Sequence, residues 1–152
     1  VSSTQVRLVV AGNVKDERSG AAVRAAVAAD ERVLPLPGFV AEARVAELFG
    51  ACDAAVLPRS EPGTSGSLVL ALSLGLPVVA ADVPTVREVV GDGEAGWLFR
   101  PRDPSSLRVA LESAAADTEE AAARGRRGRR LAERLRWTET ARETAVLLRR
   151  LG

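Results

Sequence analysis

Short apolar runs that alternate with helix-forming stretches along the 152 residues predict an α/β fold, a doubly wound parallel sheet. Two further observations agree. Runs such as LPVVAA (76–81) are apolar without interruption, as strands covered on both faces are. Antiparallel hairpin signals are missing, and parallel strands need the crossover helices that the alternation supplies. Strands are expected near 6–11, 32–36, 54–57, 77–80 and 97–99, in one sheet with helices on both faces.

QVRLVVAG (5–12) is a β-branched run closed by Gly12, and SGAAVRAAVAAD (19–30) follows as a helix with Ser19 as its N-cap. ERVLPLPGFV (31–40) reads as a strand broken by Pro35 and Pro37, then a turn at Gly38. AEARVAELFGAC (41–52) sets Val45, Leu48 and Phe49 on one helical face, and DAAVLP (53–58) is a third strand. Residues 59–66 are a loop, 67–75 a helix ended by Gly75, and 76–81 a buried strand. A short helix at 84–90 carries Pro84 in its first turn, and 91–99 turn into a last strand. Helices at 104–116, 118–135 and 138–150 form a helical tail, with Trp137 as a core anchor and Thr138 as a cap. Phe39 and Trp97 read as packing residues.

Composition narrows the chemistry. A hydrophobic content of 47% suffices for one core, which must be built from Ala, Val and Leu because aromatics make up only 3%. The net charge of +1 gives no global reason to expect nucleic acid or a membrane surface as partner. RGRRGRR (124–130) is flanked by Glu119, Glu120 and Glu133 and carries no aromatic, so it reads as a solvated helix face whose Gly125 and Gly128 fray it. No stretch is long enough to span a bilayer. The single cysteine, Cys52, rules out a disulfide framework within the chain and fits a cytoplasmic setting. Without histidine, the commonest general base and metal ligand are gone, so no metal site is expected. The chain has no methionine, even at position 1, and reads as part of a longer protein.

In a doubly wound sheet the ligand crevice lies beyond the carboxyl ends of the strands, where residues 12–14, 37–40, 59–66 and 81–85 fall. In SEPGTSGS (60–67) glycines and hydroxyls meet at the start of a buried helix, whose unpaired N–H groups suit phosphate. An ordinary helix cap would use the same residues. No G-K-[ST] phosphate loop is present, and G-x-G-x-x-G does not follow the first strand.

The segments RLVVAG, VLPLPGFV, LFGACDAAVLPRSEPGTSGSLVLALSLGLPVVAADVPTVREVVGDGEAGWLF and RWTETA resemble the C-terminal, donor-binding domain of GT-B glycosyltransferases, most closely the retaining glycosyltransferase family 4, or group 1. The likeness runs from residue 6 to 150. It implies a Rossmann-like half of a GT-B architecture that binds a UDP-, GDP- or ADP-sugar, with no other cofactor. The acceptor would be held by a separate N-terminal domain, absent here, and the longer protein would be free to contact a membrane peripherally. The resemblance implies substrate contacts from Gly12, Asn13, Gly38, Phe39, Val40, Arg59, Pro62, Gly63, Thr64, Ser65, Gly66, Ser67 and Leu68, with Glu61 against the donor sugar as the catalytic candidate.

Members of that family position the donor and stabilise the departing diphosphate, which requires no histidine. Two departures stand out. The family carries two glutamates eight positions apart, the second at the nucleotide ribose; here that position is Leu70, and Glu61 lies nine positions before it. The family's basic pair that clamps the diphosphate precedes RLVVAG and has no counterpart, so the isolated chain is expected to be inactive in transfer. Leu70 is expected to be buried, with Leu70→Glu costing about 3 kcal/mol or more. Alternative readings are a GT-B sugar-nucleotide epimerase and a non-catalytic nucleotide-binding domain. The alanine- and arginine-rich composition suggests a bacterial gene.

Overall fold

A computed structural model describes residues 6–58, 65–135 and 137–151. The elements run β1 (Leu8–Gly12), α1 (Glu17–Ala29), β2 (Val33–Pro37), α2 (Glu42–Gly50), β3 (Ala55–Leu57), α3 (Gly66–Ser73), β4 (Val78–Ala81), α4 (Pro84–Val90), β5 (Gly96–Phe99), α5 (Pro104–Ala116), α6 (Thr118–Glu133) and α7 (Trp137–Leu151). The α/β class and the parallel pairing agree with the sequence reading. Strand pairing differs from it: two parallel sheets form, β1–β2 and β3–β4–β5, rather than one. Alternation along a sequence specifies parallel strands with crossovers, but it does not say which strands become neighbours.

The chain divides into two units, Val1–Leu48 and Phe49–Gly152. In the first, β1 and β2 pair in register from Leu8 with Val33 to Gly12 with Pro37. Its helix α1 begins earlier than Ser19. Asp16 is the N-cap, and its carboxylate accepts from the Ser19 backbone N–H at 2.8 Å and from the Ser19 hydroxyl at 2.9 Å. A carboxylate caps an exposed helix start better than a serine because it also faces the positive end of the helix dipole. Those hydrogen bonds hold the Asp16 pKa below its usual value.

In the second unit every residue of β4 is buried, as a central parallel strand requires. Val78 and Ala80 pack with Leu68 and Leu72 of α3, Val86 and Val90 of α4 and Ala132 of α6. Val79 and Ala81 face the other way, toward Phe99 and Ala110. Helices therefore cover both faces of this sheet, α3, α4 and α6 on one side and α5 on the other.

The C-terminus of α3 is a complete Schellman motif. Gly75 takes φ +76°, its N–H donates to the Leu72 carbonyl at 2.9 Å, and Leu76 N–H donates to that of Ala71 at 2.9 Å. Against this turn lies α6. A Cβ built on Gly125 would stand 2.0 Å from the Gly75 oxygen, and one on Gly128 would stand 2.7 Å from Leu72 Cδ2. The glycines of RGRRGRR are thus buried and let two helices touch, which corrects the expectation of a frayed, solvated helix. Its arginines divide. Arg126, Arg129 and Arg130 are exposed, whereas Arg124 and Arg127 tie α6 to the turn before β5. Arg124 donates to the carbonyls of Gly93 and Gly96 and lies over the Trp97 ring, 4.6 Å from its centroid. Arg127 donates to the Glu94 carbonyl at 2.8 Å. At the far end of β5, Arg100 N–H donates to the Ser106 hydroxyl at 2.9 Å.

Leu70 also corrects the sequence reading: it is 38% exposed. Leu68, Ala71 and Leu72 make the buried stripe of α3, and Leu70 falls opposite them. A helix apolar on all sides carries no periodicity to say which side meets the core. Leu70→Glu is therefore expected to change stability by less than about 0.5 kcal/mol, read from the denaturant midpoint. A loss of about 3 kcal/mol would restore the buried assignment.

Candidate functional site

Gly12 ends β1 and Gly38 directly follows β2, and Gly38 N–H donates to the Gly12 carbonyl at 3.1 Å. Both take positive φ, +130° and +103°, where a side chain would be strained, and a Cβ on either would meet nothing within 4 Å. Bare backbone is thus presented at the carboxyl edge of the first unit. Asn13 beside it is exposed and Val40 half-buried. Phe39 is 82% exposed, so its assignment as a packing residue is wrong. The backbone bends at Gly38, directly before it.

In the second unit Ser65 caps α3. Its hydroxyl accepts from Leu68 N–H at 3.3 Å, and its carbonyl accepts from Leu68 and Val69 at 3.0 and 3.2 Å. Of the N–H groups in the first turn, those of Gly66 and Ser67 have no partner among the described residues. Both residues are exposed, and a Cβ on Gly66 would meet nothing within 4 Å. Leu68 stands differently from the expectation of a substrate contact. Its side chain is buried in the core and its N–H is already committed to Ser65, so it can support the site but not touch a ligand through either. Arg59, Glu61, Pro62, Gly63 and Thr64 lie outside the described residues, as does the Trp137 side chain. Thr138 sits within α7 rather than capping it.

Two clefts open in the second unit. The larger, about 430 Å³, is lined by Asp82, Arg87, Asp92, Trp97 and Arg124 among others. Its charges are all partnered. Arg87 donates to both Asp82 oxygens at 2.5 and 2.7 Å and to Asp92 at 2.7 Å. The Arg87 guanidinium holds the Asp82 carboxyl below its usual pKa. This bidentate pair braces α4 from Asp82 before it to Asp92 after it.

The smaller cleft, about 90 Å³, lies between the start of α3 and α4 and is lined by Ser65, Leu68, Val69, Thr85, Val86, Glu88 and Val89. Glu88 was absent from the sequence-based candidates, and Thr85 entered only as the end of the 81–85 strand edge. The signal that finds them is helical spacing: Thr85, Glu88 and Val89 share the face of α4 opposite Arg87. Among the described residues, no group of three or more His, Cys, Asp or Glu side chains gathers to hold a metal ion. Nor is any helix there long and apolar enough to cross a membrane.

The family model described as "Glycosyl transferases group 1" matches residues 1–117. The GDP-mannose:glycolipid 4-beta-D-mannosyltransferase of Xanthomonas campestris pv. campestris is 32% identical over 125 residues, 82% of this chain and 35% of that protein. A D-inositol 3-phosphate glycosyltransferase of Streptomyces avermitilis is 31% identical over 106 residues, 70% of this chain and 23% of that one. The chain thus spans about a third or less of the length of these relatives. Among solved structures, sucrose-phosphate synthase from Thermosynechococcus elongatus superposes with a TM-score of 0.79 at 24% identity, covering 97% of this chain and 38% of that one. Anabaena Alr3699/HepE in complex with UDP gives 0.80 at 22% identity, covering 95% and 41%. At those identities the likeness concerns the fold.

Proposed function

Because the chain belongs to the glycosyl transferases group 1 family, we propose that it is the nucleotide-sugar-binding part of a retaining glycosyltransferase. It holds a UDP-, GDP- or ADP-sugar whose sugar passes to an acceptor bound by a domain outside this chain. The observation that carries this reading is the start of α3, where Ser65 caps the helix and the N–H groups of Gly66 and Ser67 have no partner among the described residues. Unpaired N–H groups at the positive end of a helix favour a diphosphate, and they favour it more as charge grows on the leaving group. The core residues Leu68, Ala71 and Leu72 hold those donors still, so they need not reorganise during transfer. No protein nucleophile is required, and no metal or other cofactor enters the reading. Similarity to a structure solved in complex with UDP-glucose, with a TM-score of 0.75, supports it. The setting is a bacterial cytoplasm, with the longer protein free to touch a membrane peripherally.

The test is calorimetric titration of the chain with UDP, GDP and ADP, comparing wild type with Gly66→Val. The added side chain enters open space, so the variant is expected to fold and to obstruct the helix start. Affinity for the preferred nucleotide is expected to fall about tenfold, or about 1.4 kcal/mol. Unchanged affinity in a folded variant would reduce Ser65 and Gly66 to a helix cap.

A further inference from the structure

Glu88 is exposed on the smaller cleft, and no hydrogen bond or ion pair engages it among the described residues. The basic neighbour on its own helix cannot neutralise it, because Arg87 points to the opposite flank and is taken by Asp82 and Asp92. Half-buried Thr85, one turn earlier on the same face, also leaves its hydroxyl without a partner among those residues. Ser65 lines the cleft from the cap of α3, with a hydroxyl whose oxygen accepts from Leu68 and whose hydrogen has no acceptor among the described residues. A carboxylate-bearing residue and two hydroxyl-bearing residues thus line one cleft together with the apolar Val86 and Val89.

This donor and acceptor set selects its ligand. Among the described residues, an anion in the cleft would meet the Glu88 charge with no lining cation to offset it. A divalent cation would find one carboxylate where it needs several oxygen ligands. A purely apolar group would strand three polar side chains. A ring edge bearing neighbouring hydroxyls fits, since each O–H can donate to the carboxylate in a charge-assisted bond while its oxygen accepts from Ser65 or Thr85. About 90 Å³ admits such an edge rather than a whole nucleotide.

We propose that the α3–α4 cleft is a hydroxyl-reading subsite for the transferred sugar, with Glu88 as its acceptor and Thr85 and Ser65 as its hydroxyl partners. The proposal rests on the function proposed above and adds the residues that choose the sugar. Glu88 and Thr85 are specificity-determining residues, and the nucleotide is held elsewhere.

The experiment is an NMR titration of the chain with UDP, GDP and ADP and with the glucose and mannose conjugates of each, for wild type, Glu88→Gln and Thr85→Val. Both substitutions preserve side-chain size on partly or fully exposed positions, so each variant is expected to fold. For the preferred nucleotide, Glu88→Gln is expected to weaken the sugar conjugate about tenfold and to leave the bare diphosphate unchanged. Thr85→Val is expected to act in the same direction by a smaller factor. Equal binding of the conjugate to wild type and Glu88→Gln would overturn the subsite and leave the nucleotide reading standing. Equal losses for diphosphate and conjugate would overturn it as well, placing Glu88 at the nucleotide. If wild type takes up neither ligand, the nucleotide reading falls and the subsite with it.

Discussion

Gly125→Ala is expected to destabilise the protein by about 3 kcal/mol. Helix propensity argues for the opposite sign, since alanine in a helix interior gains about 1 kcal/mol over glycine. Packing decides the outcome. The new Cβ would stand 2.0 Å from the Gly75 oxygen and 3.2 Å from Pro77 Cδ. The first of these atoms is backbone and cannot swing aside like the end of a long side chain. Gly75 is itself fixed by the Schellman turn, so relieving the clash means moving α6 away from α3. That would pull Ala132 and Gly128 off the core as well. Arg126→Ala, one residue along on the exposed side, is the control and is expected to stay within about 0.5 kcal/mol of wild type. Denaturant midpoints check both, and a Gly125→Ala protein at least as stable as wild type would refute the close contact.

A second large effect is expected at the next contact of the same two helices. Leu72 is fully buried, and Leu72→Ala should cost about 3 kcal/mol through lost transfer energy and the cavity left behind. Gly128→Ala should cost about 2 kcal/mol, because its Cβ would lie 2.7 Å from Leu72 Cδ2 and 3.2 Å from the Ala95 Cβ. The two costs are not independent. Truncating Leu72 removes the atom that the methyl added by Gly128→Ala would strike, and that methyl partly refills the space. The double variant is therefore expected to be more stable than the sum of the single losses by about 1 kcal/mol. Strict additivity in a double-mutant cycle would mean that the helices rearrange rather than interlock.

These contacts mark where sequence reading reached its limit. α4 and α5 were legible to the residue because their signals are local, as with Pro84 in the first turn of α4; in α5 the structure adds the Asp103 carboxylate, which accepts from Ser106 N–H. Gly125 and Gly128 were misread because the reason for each lies about fifty residues away, at Gly75 and Leu72, and no local pattern records it. Leu70 failed for a different cause, since an apolar neighbourhood hides which face is turned outward. The division into two sheets likewise depends on pairing partners that spacing does not encode. At the candidate site, strand ends placed Gly12 and Gly38 on one sheet edge and the apolar run placed a helix start after SEPGTS, but the Gly38–Gly12 hydrogen bond and the choice of Ser65 as cap depend on strand pairing and backbone geometry that spacing does not encode. Glu88 did not follow. Its availability depends on Arg87 being engaged by Asp82 and Asp92, which only the packed structure reveals.

The bonds that Arg124 and Ser106 make along β5 bear on how the chain behaves among its own copies. Ala95 and Phe99 turn their carbonyls to β4, so Gly96, Leu98 and Arg100 alternate outward along the strand. Gly96 gives its carbonyl to Arg124, and Arg100 gives its N–H to Ser106. An incoming strand from another molecule would find the Leu98 groups between two blocked ends instead of a continuous ladder. A guanidinium and a hydroxyl thus guard this sheet edge against cross-molecular strand addition, the first step of aggregation, without a covering helix or an added proline.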